Sequence, residues 1–386
     1  MFIGIKMDRP LTTLFIFLIL SQVILVLFDI FIGAIMMKYI FVGFIIGISS
    51  LIFLKISVSY REIILFSPYL LFNFLYIFNM EDTDALVMVG NQLSYLIVIY
   101  MITNVKWTEG NLRILSKSFY VLLPFLIVLS FVFQDIINPN TLGTLIMLLA
   151  FFPLLYHSFY KKSVNRLSLA FSVIAAISLV LVADARSVGV SIALIILTIV
   201  LWRTIVKSKL LYNLYFFSFL TLNFFVVAIY PSIYKWSIYP TLNQWSIQLT
   251  QKPLLTGREL IWERTLHKIM EAPLLGIHSS VTPQDIFPTG FSAHNLYLQV
   301  GLQVGIIGIL ALLLFFFFIW RTFWHARYDK RVMLSAAFLI AIITHQSFEV
   351  TLTQNQYLIG LLQWMTIAFG LHFSFNKIRG DKVGGE

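Results

Sequence analysis

The chain has 386 residues, 59% of them hydrophobic and 11% charged, with no cysteine and a formal net charge of +10. Apolar runs of about 18 residues or more recur along its whole length, which marks an all-α polytopic membrane protein. The lack of cysteine excludes a disulfide framework, a thiolate nucleophile and metal sites built on sulfur. The basic excess has to be set against loop topology before nucleic acid is considered, and no nucleic-acid partner is expected.

Apolar runs between charged punctuation predict roughly twelve spans, centred near residues 20, 45, 71, 94, 126, 150, 175, 195, 220, 307, 340 and 364. Residues 1–230 then hold the first nine spans, 231–293 a long polar connection, and 294–386 the last three spans and a tail. With the N-terminus inside, the inner connections carry most of the basic residues, from Lys6, Arg9 and Arg61 through Lys209 and Arg321 to Lys377 and Arg379. The short outer connections carry Glu81, Asp82, Asp84 and Asp135. This is the positive-inside pattern and puts both termini in the cytoplasm. The first span follows Lys6 and Arg9 without a small-residue cleavage site, so it reads as a retained signal anchor.

Of the remaining basic residues, Lys38 falls near the outer end of the second span. Arg186, Lys235, Lys252, Arg258, Arg264 and Lys268 fall on the outer face, all but Arg186 within 231–293. Arg186 sits at the outer turn before the eighth span, where a charge so near hydrocarbon is costly unless paired or set in a polar cavity. Asp184 is the partner a structural salt bridge would use. A connection as long as 231–293 is usually functional or disordered, and its helical signals and aromatics favour order.

Within it, Thr256-Gly257-Arg258-Glu259 has the spacing of a capping box, with Thr256 as cap and Glu259 at the third helical position, and Pro273 ends the helix. Arg258 then lies in the first turn, where a guanidinium beside free amides can hold an anion; pairing with Glu259 or simple exposure explains it equally. Trp262 and Ile269 fall on a face suited to rest on the membrane surface or to pack in a core. Further on, Ser292 reads as a cap that places His294 in the first turn of the tenth span. There the helix end disfavours imidazolium and leaves a ring able to accept a proton; an interfacial anchor is the plainer reading. Tyr297 and Gly301 share its face, and Gly301, Gly305 and Gly308 allow a helix or lipid chain to approach closely. His345 and Glu349, one turn apart at the outer end of the eleventh span, read either as a proton-handling pair or as a polar cap.

The segments Thr256-Gly-Arg258-Glu-Leu-Ile-Trp262, Ala-Pro273-Leu-Leu-Gly276 and Ser-Ala-His294-Asn295, followed by Gly305 and Gly308, resemble the bacterial O-antigen ligase and polymerase superfamily. The span count, the long outer loop after the ninth span and the arginine before the eighth are similar too. The resemblance implies a C-type membrane glycosyltransferase of the bacterial inner membrane, with its active site facing the periplasm and an undecaprenyl-pyrophosphate-linked glycan as donor. It makes Arg186 and Arg258 the pyrophosphate contacts and His294 the residue that activates the acceptor hydroxyl. Asn295, Tyr297, Arg264 and Glu349 are candidates for supporting roles.

That assignment suits the chemistry. No nucleotide-sugar pool exists outside the inner membrane, so the donor must arrive energised, and its departure concentrates negative charge on a pyrophosphate. The Asp-x-Asp of the outer segments, Asp82-Thr83-Asp84, stands far in the sequence from the arginines and the histidine, and guanidinium groups and a helix N-terminus are expected to stabilise that charge. A metal-independent, cofactor-free transfer is expected, inverting by analogy with the family. The acceptor separates a polymerase, which uses the next lipid-linked repeat unit, from a ligase, which uses lipid A-core; the sequence leans to the polymerase, with a chain-length-regulating co-polymerase as an implied partner. The competing class is a transporter of lipid-linked oligosaccharides, which should show internal halves and ionisable residues at the bilayer midplane. Neither is evident. A scaffold for a glycan-assembly complex would not need the arginines and histidine to converge.

Overall fold

The computed structural model describes residues 59–105, 107–132, 139–159, 185–250, 253–255, 257–286, 292–353 and 357–380. Every regular element among them is helical: α1 (Tyr60–Phe78), α2 (Thr83–Asn104), α3 (Glu109–Val132), α4 (Pro139–Phe159), α5 (Arg186–Ile205), α6 (Lys209–Ile229), α7 (Tyr239–Thr250), α8 (Arg258–Glu271), α9 (Pro283–Ile286), α10 (Leu296–Phe323), α11 (Lys330–His345) and α12 (Tyr357–Arg379). Short 3-10 turns extend α6 over Tyr230–Lys235 and α10 over Trp324–Ala326.

Seven of these helices, α1, α2, α4, α5, α6, α10 and α12, are long and apolar enough to cross a membrane. With α3 and α11 they fall where nine spans are expected; α11 has only 16 residues, short of the roughly 20 a simple crossing takes. The spans expected near residues 20, 45 and 175 lie outside the described residues, as do Lys38 and the expected signal anchor. Between α6 and α10 stand α7, α8 and α9, so the polar connection carries helices of its own.

The bundle is built around α12, whose membrane-crossing stretch is wholly buried and which packs against α2, α4, α10 and α11. Trp364 stacks with Phe316 and meets Tyr69 edge-on, and its ring N–H donates to the Leu352 carbonyl at 3.1 Å. α5 and α6 bury much less of their length and expose apolar side chains such as Val200 and Phe224.

The feature that organises the end of the bundle where α10 starts is a break in α10. Val304 (φ −134°, ψ 15°) and Gly305 (φ 66°, ψ −169°) leave helical geometry inside an otherwise continuous 28-residue helix. By helix rise the break lies about 13 Å along the helix from its N-terminus, at a depth where unsatisfied peptide groups are prohibitive. An intact helix would bond Ile306 and Ile307 back to Leu302 and Gln303. Instead the Ile306 and Ile307 amides donate to the Pro273 and Leu274 carbonyls at 2.9 and 3.3 Å. The Leu302 carbonyl accepts from Ile277 at 2.8 Å, and that of Gln303 from the Asn79 side chain at 2.8 Å. The stretch after α8 thus fills the gap with its own backbone.

Contact this close requires glycine on both sides. A Cβ on Gly305 would sit 2.2 Å from the Leu274 carbonyl oxygen, and one on Gly276 (φ 78°) 2.4 Å from the Gln303 carbonyl carbon. The close approach expected at the α10 glycines is therefore made by a loop rather than by a second span or a lipid, while Ile269 of α8 packs over Gly301. Gly305→Ala or Gly276→Ala should destabilise the protein by about 3 kcal/mol or more, adding overpacking to the backbone penalty. Gly257→Ala, at a positive φ but with open space around it, should cost only about 1 kcal/mol. Thermal unfolding of the purified variants in detergent checks the order.

Candidate active site

α8 begins at Arg258, not with a capping box. Its N-cap is Gly257, in left-handed geometry (φ 87°) with no side-chain cap; Glu259 is consequently the second helical residue rather than the third, and Thr256 lies outside the described residues. The helix stops before Ala272-Pro273 as expected. Trp262 does not rest on a membrane surface: it is buried, packed with Ala293 and Leu298, and its ring N–H donates to the Ala293 carbonyl at 2.7 Å. α8 is thereby fastened at one end by Trp262 to the residue before His294 and at the other by Pro273 to the break in α10.

His294 is also placed differently from expectation. α10 begins at Leu296 and its cap is Asn295, whose side chain accepts from the Leu298 amide at 3.0 Å. Ser292 instead accepts from the His294 amide at 3.2 Å. His294 therefore precedes the helix, so the first-turn argument for its ring does not apply. It is the one non-glycine residue with positive φ among those described, at 47°, an uncommon conformation that takes its side chain off the helix axis.

What the ring meets is Glu349. Its Nδ1 lies 2.9 Å from Glu349 Oε2. An ionised carboxylate only accepts, so Nδ1 carries a proton, and in the neutral tautomer this leaves the lone pair on Nε2. The His294 side chain is 36% exposed and that of Glu349 only 11%, so the carboxylate is sheltered while the imidazole reaches outward. Two further groups hold Glu349, and a third steadies the neighbouring His345. The Asn140 side chain at the start of α4 donates to Oε1 at 2.9 Å, and Arg258 Nη2 stands 3.7 Å from the same oxygen. Thr144, one turn along α4, meets His345 Nε2 at 3.2 Å. Burial alone would push the Glu349 carboxyl up; the hydrogen bond from His294 and the charges of His294, Arg258 and His345 outweigh it and leave it below the ordinary carboxylate value.

The turn that carries Glu349 is itself closed. Gln346 accepts from the Thr351 and Leu352 amides, its carbonyl takes the Leu296 amide at 2.8 Å, and the Ser347 carbonyl takes the Asn295 side chain at 2.9 Å. The start of α10 and the 346–352 turn thus form one hydrogen-bonded unit. Arg258 reaches it from α8, donating through Nη1 to the Phe348 carbonyl at 2.9 Å. Its partner is Glu349 rather than Glu259, and a guanidinium has five N–H groups, so these two contacts leave donors for an anion.

The structure therefore brings Arg258, His294 and Glu349 together. Arg186 opens α5 and makes no ion pair with Glu349; its Nη1 donates to the Pro253 carbonyl at 3.2 Å and approaches Ser246 at 3.5 Å, facing the end of α7. Asp184 lies outside the described residues. Arg264 is exposed on α8. Tyr297 is buried and its hydroxyl donates to the Ile343 carbonyl at 2.7 Å, which ties α10 to α11. Sequence reasoning missed Asn140 and the Phe348 carbonyl: an asparagine beside a proline at a helix start reads as a cap, and a carbonyl has no residue signature. Beside His294 a pocket of about 220 Å³ is lined by Thr282, Pro283, Gln284, Ser292 and Gln299, a polar, uncharged wall.

Residues 170–313 match the family model described as O-antigen ligase. The matched stretch contains Arg186, Arg258, His294 and the break in α10, and ends before Glu349. No curated protein matches the chain.

Because the Glu349 carboxyl is held low, its stabilising contribution is fully present above the unfolded carboxylate value near 4.3 and is lost as the pH falls through the lower folded value. Glu349→Gln should lower stability at neutral pH by about 1–3 kcal/mol. It should also flatten the fall of the thermal midpoint on the acid side relative to wild type, which a pH series of unfolding curves would measure.

Proposed function

We propose that the chain, whose residues 170–313 match the O-antigen ligase family model, is a membrane glycosyltransferase of the O-antigen ligase and polymerase superfamily, and that it transfers a glycan from an undecaprenyl-pyrophosphate donor to a sugar hydroxyl at the periplasmic face of the inner membrane. The observation that carries this reading is the Arg258–Glu349–His294 cluster at the head of α10. A general base needs a free lone pair and a fixed ring, and Glu349 supports both by holding the proton on Nδ1.

The acceptor hydroxyl attacks the anomeric carbon of the donor, its proton passes to His294 Nε2, and the bond from that carbon to the pyrophosphate oxygen breaks with the electron pair leaving on the pyrophosphate. A single displacement inverts the anomeric configuration. Glu349 stabilises the imidazolium so formed, and Arg258 with Arg186 meets the charge developing on the leaving group. The uncharged pocket beside Ser292 suits sugar hydroxyls better than phosphate. The acceptor we favour is the next lipid-linked repeat unit, which makes the protein a polymerase working with a chain-length-regulating partner. The description of the matching family favours a second reading, ligation to lipid A-core.

Purified protein given an undecaprenyl-pyrophosphate-linked repeat unit in EDTA, alone or with lipid A-core, separates these. A ladder from the repeat unit alone, reduced at least about 100-fold by His294→Ala or Arg258→Ala, fits a metal-independent polymerase. Product only with lipid A-core makes it a ligase. Lipid scrambling without glycan transfer would replace the enzyme by a transporter.

A further inference from the structure

We infer that the end of the bundle opposite His294 holds a binding site for the headgroup of an anionic phospholipid. It is a cavity of about 370 Å³ between the start of α1, the start of α6 and the end of α10, a size typical of small-ligand sites. Arg61, Lys209 and Arg321 line it, together with His325. By helix rise it lies about 40 Å from the His294 cluster, so it is no part of that site.

The charges around this cavity are unbalanced in a way their neighbours are not. At the same end of the bundle, Arg331 pairs with Asp329 and Arg379 with Glu62 at 2.5 and 2.9 Å. Among the described residues no carboxylate pairs with Arg61, Lys209 or Arg321; Arg321 has only the Phe317 ring, 5.8 Å away. A preference for cations at one membrane face accounts for basic residues at this end, but not for three of them converging on one cavity without a counter-charge. Three cations lining one space repel one another, only weakly since all three are exposed, and an anion between them replaces that repulsion by attraction.

The walls identify the anion as a lipid. Ile64, Leu65 and Phe318 form the apolar side of the cavity, and beyond it α10 and α6 present Leu314, Leu310 and Phe217 to the surroundings. A phosphate held by the three cations would leave its acyl chains running along those side chains. Basic pockets between membrane helices suit anionic headgroups. Asn213 lines the same cavity, and its buried Oδ1 has no partner among the described residues, an acceptor for a headgroup hydroxyl such as that of phosphatidylglycerol. The bound lipid would join α1, α6 and α10.

The test is a titration of the full-length protein in neutral detergent with dioctanoyl phosphatidylglycerol, read as the shift in thermal midpoint. Dioctanoyl phosphatidylcholine and inorganic phosphate serve as comparisons. Saturable stabilisation by phosphatidylglycerol alone is expected, with an apparent affinity about tenfold or more weaker in Arg61→Gln/Arg321→Gln and unchanged in Arg203→Gln, an exposed cation on α5. Lys209→Gln should weaken it in the same direction and stands in if the double variant does not fold. Equal stabilisation by phosphatidylcholine, or equal weakening by Arg203→Gln, would overturn the site. Saturation by inorganic phosphate alone would overturn the lipid assignment.

Discussion

The half of this protein around the start of α10 depends on a repair to one helix. A membrane helix can be broken only where something else satisfies its peptide groups, and here the four groups freed around Val304 and Gly305 are taken by the backbone of 273–277 and by Asn79. The repair fixes the loop as firmly as it fixes the helix. Since α8 ends where the filling stretch begins, the position of Arg258 is set from below by Pro273 and from the side by Trp262. A loop lying over a bilayer has few ways to acquire a fixed orientation; this one acquires it by donating its carbonyls to a span.

From that frame the functional cluster follows. His294 lies between Ala293, which holds Trp262, and Asn295, which caps α10 and grips the 346–352 turn. Its left-handed backbone is an expense of conformational energy that the flanking bonds sustain, and the outcome is a ring aimed at Glu349 instead of along the helix. Glu349 is the common partner: α4 reaches it through Asn140, α8 through Arg258 and the start of α10 through His294. Three elements distant in the chain are thus held in register by one sheltered carboxylate, whose charge also balances the arginine while no substrate is present.

Much of this could be read from the residues. The spans, the stop at Pro273 and the grouping of Arg258 with His294 follow from hydropathy, turn chemistry and motif spacing, because those are local properties. The starts of α8 and α10 were misplaced because capping depends on which polar side chain reaches which amide, and Asn295 outcompetes Ser292 only once Ser347 is there to take its other end. For Trp262 a membrane surface and a core both stayed open, because an amphipathic face does not say what covers it. Glu349 was legible as a candidate for a supporting role but not as the partner of His294 and Arg258, since those contacts join residues far apart in the chain. The glycines of α10 announced a close approach but not the identity of what approaches.

The order of synthesis gives the broken helix a further meaning. The carbonyls that complete it, on Pro273 and Leu274, are made before the amides of Ile306 and Ile307 that need them, and Asn79 is made earlier still. When α10 leaves the translocation machinery its defect can therefore be sealed at once by chain already made, without waiting for α11 or α12. The cap at Asn295 and the partner of His294 come only with residues 346–349. The scaffold can thus close before α11 and α12 are made, and the turn between those two helices is what brings Glu349 to His294 and Arg258.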